Sequence, residues 1–133
     1  MQSSQGRTEN EISLLVVEEA ISLHRNLGPG LLESVYETVL ERKLTDRGLE
    51  VKRQVPVPLS YDGMEFDIAF RADLILDGKV ILEIKAVETL GSSHKKQLLT
   101  YLKLSGLKLG LLLNFNEVLM KNGIARIVNQ LHD

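Results

Sequence analysis

Two acids and a lysine, Asp73, Glu83 and Lys85, lie along FRADLILDGKVILEIK, where one apolar run ends and a second follows a turn. An aspartate and a glutamate brought together can hold a divalent cation and an attacking water. A lysine beside them can steady the negative charge that grows on a phosphodiester as it is cut. Glu-x-Lys alone says little, because the chain has three copies: Glu41/Lys43, Glu50/Lys52 and Glu83/Lys85. The first falls in a stretch of helical spacing, where residues two apart diverge. The second occupies the polar positions of an alternating strand. Glu83 and Lys85 interrupt Val80, Ile81, Leu82 and Ile84, so they share one face of a strand that is otherwise apolar on both. Charge at such a place needs a partner or a metal, since buried unpaired charge is costly.

The elements around these residues can be read from period and punctuation. Thr8-Glu9-Asn10-Glu11 is a capping box for a first helix, with Ile12, Leu15, Val16, Ala20, Leu23 and Leu27 on one stripe and Gly28 past its end. After Pro29-Gly30, a second helix is predicted over residues 32–47, with Val35, Tyr36, Val39, Leu40 and Leu44 inward. Residues 51–59 alternate and contain Pro56 and Pro58, which predicts an edge strand. Asp62-Gly63 and Asp77-Gly78 are turns leading into strands over 66–76 and 80–87. Ser92 or Ser93 caps a helix ending at Gly106, residues 107–115 read as a strand buried on both faces, and Asn122-Gly123 precedes a last strand over 124–128.

The register of the Asp77-Gly78 hairpin decides whether the acids meet. A strict two-residue loop sets Ala72 opposite Glu83 and turns Asp73 to the far side. A three-residue loop ending at Gly78 with a bulge puts Asp73, Ile75, Ile81, Glu83 and Lys85 on one face, with Asp73 and Glu83 diagonal neighbours at about 7 Å.

Composition narrows the field. A chain of 133 residues with 44% hydrophobic content suits a single domain, residues 1–133, with a polar and flexible start over 1–8. The absence of cysteine excludes disulfides and thiolate metal sites. No apolar run approaches the ~20 residues of a membrane span and the start lacks a signal-peptide pattern, so the expected location is cytoplasmic, with no membrane partner. A net charge of −2 argues against coating nucleic acid by bulk electrostatics, and an aromatic share of 5% without tryptophan argues against a stacking platform. His24, His94 and His132 show no metal-ligand spacing. Lys95, Lys96, Lys103 and Lys108 read either as a phosphate-binding strip or as an ordinary solvated face.

Asp73 with Glu83-Ile84-Lys85 resembles the signature of the PD-(D/E)XK nuclease superfamily, with Ala72 where that pattern prefers proline. Gly30-Leu31-Leu32-Glu33-Ser34-Val35-Tyr36 is similar to the motif that names the small bacterial GxxExxY proteins, and Gln97-x-x-x-Tyr101 resembles the QxxxY element of RecB-type nucleases. The resemblance implies an α/β fold with a restriction-endonuclease-like core, α-β-β-β-α-β, a mixed central sheet flanked by helices and an extra N-terminal helix. It implies a metal-dependent nuclease acting on DNA rather than RNA. Asp73, Glu83 and Lys85 would be catalytic, and Mg2+ or Mn2+ would be held by Glu33, Asp73, Glu83 and the main-chain carbonyl of Ile84, hard oxygen donors for a hard cation. Gln97, Tyr101 and Tyr36 would support the site or touch substrate. Each has a plainer reading: Glu33 as a first-turn acid answering the helix dipole, Tyr36 as core, Gln97 and Tyr101 as an amphipathic-helix edge. The rival function is a non-catalytic module of the same fold that binds nucleic acid or protein, as a homo-oligomer or as a subunit of a larger complex.

Overall fold

The computed structural model describes residues 6–132. Three helices and five strands follow one another as α1 (Glu9–Leu27), α2 (Glu33–Asp46), β1 (Val51–Tyr61), β2 (Met64–Leu76), β3 (Val80–Lys85), α3 (Ser92–Ser105), β4 (Leu109–Asn114) and β5 (Ile124–Val128). From α2 onward this contains the expected α-β-β-β-α-β order, preceded by one extra helix. The strands form one mixed sheet in the order β1-β2-β3-β4-β5, with β3 and β4 parallel and the other pairs antiparallel. The proline-bearing β1 is an edge strand, as Pro56 and Pro58 predict.

The α1 capping box forms as its sequence indicates: Glu11 N donates to Thr8 Oγ1 at 3.1 Å and Thr8 N donates to Glu11 Oε1 at 2.8 Å. Residues 1–5 of the expected flexible start lie outside the described residues, while Arg7 already donates to the carbonyls of Arg47 and Gly48. The third helix is capped differently from the expectation. Its N-cap is Gly91 rather than Ser92 or Ser93, and His94 Nδ1 accepts from Gly91 N at 3.0 Å. Asn122-Gly123 belongs to a short 3-10 turn, Met120–Gly123, not to a tight hairpin loop.

Two apolar layers sandwich the sheet. On one face α1 and α2 bury Ile12, Val16, Tyr36 and Leu40 against Leu74, Leu82, Leu111 and Phe115. On the other, α3 sets Leu98 and Leu102 against Ile75, Ile81 and Leu112. Burying each large apolar side chain contributes about 1.5–3 kcal/mol, which makes these layers the main source of stability. Tyr36 locks the α1–α2 turn: it stacks on Phe115 at 4.3 Å, donates its hydroxyl to Gly28 O at 2.6 Å and accepts from Leu31 N at 3.2 Å. A Tyr36→Phe substitution strands both backbone groups near the surface. It is expected to cost about 1 kcal/mol, read as a lower melting temperature with nucleic-acid binding and cleavage unaltered.

The Asp77-Gly78 hairpin takes a register that neither sequence alternative described. Asp77 (φ 52°) and Gly78 (φ 64°) are both left-handed and Lys79 N donates to Leu76 O at 2.9 Å, so the tight turn forms. Lys79 is nonetheless an extra residue, and Leu76 pairs with Val80, Ile75 with Ile81 and Leu74 with Leu82. The loop therefore spans 77–79, one residue later than a loop ending at Gly78. Extending this register by one rank sets Asp73 directly opposite Glu83 instead of diagonal to it.

Candidate active site

The ladder between β2 and β3 stops at Leu74 and Leu82, and the next rank holds the two acids. Backbone groups there have lost their strand partners, and buried amides must be satisfied by something else. The acids supply it. Glu83 Oε2 accepts from Asp73 N at 2.9 Å, and Asp73 Oδ2 accepts from Ile84 N at 2.8 Å. Each carboxylate is thus fixed through one oxygen by the opposite strand. Glu83 Oε1 accepts no hydrogen bond among the described residues, and Asp73 Oδ1 has only a 3.3 Å bond from Gln54 Nε2.

The neighbouring pair of strands breaks at the same rank. Arg53 pairs with Leu74 and Val55 with Ala72, but Gln54 and Asp73 between them do not pair. Gln54 sits at φ 51°, a left-handed conformation that costs a non-glycine residue about 1–2 kcal/mol. The consequence shows in the packing. Val51 and Leu74 join the α1–α2 layer, whereas Val55 and Ala72 join the α3 layer, although strict alternation would keep each strand's pair on one face. The turned backbone lets Gln54 Nε2 reach Asp73 Oδ1 and both oxygens of Glu37, each at 3.1 Å.

Glu37 is a site residue that sequence reading passed over. It is buried on α2, one turn after Glu33, and pairs with Arg53 Nε at 2.5 Å. Its signal was available, because Glu33 and Glu37 share a helical face four residues apart. Gln54 had none, since a polar residue on an edge strand is ordinary. Asn114 also went unnoticed. It is fully buried, lies opposite Lys85 in the β3–β4 register, and clamps Val87 through both its N–H and its carbonyl.

The acids carry more negative charge than their surroundings balance. Burial, then the nearby Asp73 carboxylate, pushes Glu83 up to about 7, against the partial relief of its bond from Asp73 N and of Lys85. Asp73 is raised too, first by burial, with the amide of Ile84 pulling the other way and Glu37 adding to the rise. Tyr101 is held above the usual phenol range by burial and then by Glu83 and Asp73, which puts it close to both acids. It stacks on Phe70 with ring centroids 3.7 Å apart.

Among the sequence-selected residues, Asp73, Glu83 and Lys85 come together, with Tyr101 beside them. Lys85 is the half-buried last residue of β3, near enough to both acids to lower their pKa values, and it forms no ion pair with either among the described residues. Glu33 approaches the same end of β3, but its Oε2 accepts from Ala86 N at 2.8 Å. Tyr36 does not join: its ring is in the core and its hydroxyl is committed to the α1–α2 turn. Gln97 is exposed on α3 and has no hydrogen-bond partner among the described residues.

No group of three or more His, Cys, Asp or Glu among the described residues is arranged to hold a metal ion. Two acids of raised pKa, each with an oxygen left over from its backbone bond, nevertheless form a donor set suited to a hard divalent cation, which would relieve their repulsion. A smaller ligand set of two carboxylates and a carbonyl, completed by water, is within the habits of magnesium.

The crystal structure of SSO0001 has a similar fold, with a TM-score of 0.53 and 21% sequence identity over 92% of this chain and 67% of that chain. No curated protein sequence matches. A family model described as the PD-(D/E)XK nuclease superfamily matches residues 10–127, a span that takes in both acids, the lysine, all three helices but the first residue of α1, and four whole strands. By that match, and with a mixed five-stranded sheet flanked by helices, the chain belongs to the PD-(D/E)XK nuclease superfamily and has its restriction-endonuclease-like fold.

Proposed function

We propose that the protein is a metal-dependent nuclease that hydrolyses phosphodiester bonds, with DNA favoured over RNA as substrate. The observation that carries this reading is the meeting of Asp73 and Glu83 at the broken rank of the sheet, each fixed by a backbone amide and each with an oxygen to spare. Asp73, Glu83 and the carbonyl of Ile84 would hold Mg2+ or Mn2+, with Glu33 at most an outer contributor because it is engaged at Ala86 N. Such a cation, when bound, supplies Lewis acidity and screens the phosphate from hydroxide.

The remaining work falls to the chain itself. Lys85 orients the attacking water and stabilises charge growing on the scissile phosphate. Tyr101, kept neutral by the acids beside it, donates a hydrogen bond on the same face. Gln54, held in its strained conformation, keeps Glu37 and Asp73 apart as discrete acceptors of one amide. We further propose that the chain belongs to the GxxExxY branch of bacterial proteins, on the strength of Gly30, Glu33 and Tyr36, and that it works in the cytoplasm. No helix among the described residues is long and apolar enough to cross a membrane.

A second reading, a non-catalytic binding module of the same fold, is favoured by one observation, the commitment of Glu33 to a backbone amide, which leaves the acid pair without a third carboxylate. A panel of labelled single-stranded, duplex and flapped DNA and RNA separates the two. The expected result is cleavage of at least one DNA form with magnesium or manganese and none with chelator. Binding without cleavage of any form under every cation would leave the second reading standing.

A further inference from the structure

We infer that the β1–β2 hairpin arm of one copy docks into a groove beside the end of α1 on a second copy, and that the exchange is reciprocal. The arm is an amphipathic two-stranded ribbon. Its Asp62-Gly63 turn is left-handed at both residues, and the register pairs Leu59 with Phe66 and Tyr61 with Met64. Side chains of opposed residues point the same way, so Leu59, Tyr61, Met64, Phe66 and Ile68 share one face while Ser60, Glu65 and Asp67 share the other. The apolar face is uncovered: Tyr61 is 67% exposed, Met64 50%, and Phe66 and Ile68 46% each. A contiguous exposed face of this composition, rich in tyrosine, phenylalanine and methionine, is the mark of a protein interface.

The chain itself offers a matching surface. A groove of about 500 Å³ lies between the end of α1 and the segment after β4, lined by Ile21, Arg25, Val118, Leu119, Met120 and Lys121 among others. Its lip is apolar, with Val118 84% exposed and Leu119 52%. Its charge is positive, since Arg25 and Lys121 have no ion-pair partner among the described residues. The ribbon carries the opposite sign: Asp62, Glu65 and Asp67 likewise lack a cationic partner among the described residues. The same acids disfavour nucleic acid as the occupant of the ribbon, because phosphates would meet them.

Area favours reciprocity. Two strands of about five residues make a face of roughly 17 Å by 10 Å, small beside the ~800 Å² per partner of a stable interface. An exchange in which each copy gives one ribbon and one groove doubles the contact and closes it as a two-fold dimer.

The test is sedimentation velocity of the full chain across a concentration series, at low and high salt. The expected result is a concentration-dependent dimer that weakens with salt. Two variants of exposed residues dissect it, each first checked for an unchanged melt: a ribbon variant, Met64→Ser with Phe66→Ser, and a groove variant, Leu119→Asp with Lys121→Glu. Each alone should dimerise at least about tenfold more weakly. Mixed in equal amounts they should form a heterodimer, because the intact ribbon of one still fits the intact groove of the other. A protein that stays monomeric throughout, a groove variant that dimerises like the unmutated chain through ribbon-on-ribbon packing, or a mixture that stays monomeric would each overturn the proposal. So would a monomer whose ribbon variant loses only nucleic-acid binding.

Discussion

Alanine at Lys85 is expected to lower cleavage at least about 100-fold while leaving divalent-cation binding and the melting temperature nearly unchanged. The lysine offers its amine to the reacting phosphate and not to the fold. Among the described residues its ammonium makes no ion pair, and the bond that holds its position, Phe115 N to Lys85 O at 2.9 Å, belongs to the main chain and survives the substitution. Asp73 is less simple. Its Oδ2 satisfies the amide of Ile84, a residue only 1% exposed, so Asp73→Ala would leave a buried donor unpaired at about 1–3 kcal/mol, partly offset by relief of repulsion with Glu83 and Glu37. Asp73→Asn keeps an acceptor for Ile84 N and removes only the charge. It should lose both cation binding and cleavage without unfolding. Purified protein whose Lys85→Ala and Asp73→Asn forms both cleave at the unmutated rate would move the activity elsewhere, to another site or a contaminant. Loss of cation binding in Lys85→Ala would make the lysine a structural element of the acid pair.

The elements of this fold were legible because each rests on a local rule. Capping at Thr8, the prolines of β1 and the continuous apolar run of β4 each specify an element without reference to the rest of the chain. Even the convergence of Asp73, Glu83 and Lys85 could be foreseen, because a shared face depends only on parity once the hairpin has an extra residue. What parity cannot say is which residue is extra. Lys79 takes that place because Asp77 and Gly78 already form the tight turn, and only the completed sheet decides that pairing resumes at Val80.

The parts that escaped the sequence are those created by contacts between distant segments. Gln54 turns left-handed where alternation calls for plain extended strand, and what holds it there lies at Glu37 and Asp73, 17 and 19 residues away. A strained residue of this kind is where local rules should fail, since tertiary bonds must outweigh a local preference of about 1–2 kcal/mol. Tyr36 shows the opposite error. A motif tyrosine beside a candidate acid invites a role in chemistry, yet its hydroxyl closes the turn that launches α2 and thereby aims Glu33 and Glu37 at the end of β3. Its contribution to the site is positional.

Glu83 should make the cation-free protein less stable as pH rises, the reverse of an ordinary salt-bridged carboxylate. In the unfolded chain this group loses its proton around 4.5, whereas in the fold it keeps it to about 7. Between those values the folded state binds more protons than the unfolded state, so stability falls with pH, by on the order of 3 kcal/mol across the window, and flattens above it. Asp73 contributes in the same direction, because its pKa is raised as well. Glu83→Gln removes the titration while keeping an oxygen for Asp73 N. The variant should therefore match the unmutated protein near pH 4.5, where both side chains are neutral, and exceed it in stability at pH 8. Divalent cation should reverse the order at pH 8, because it stabilises the unmutated chain by mass action and finds only one charged acid of the pair in the variant. Urea denaturation at pH 4.5, 6 and 8, with chelator and then with magnesium or manganese, measures each difference. Parallel stability profiles for the two proteins in chelator would mean that Glu83 does not hold its proton in the fold. A variant equally stabilised by the cation would mean that Glu83 is not one of its ligands.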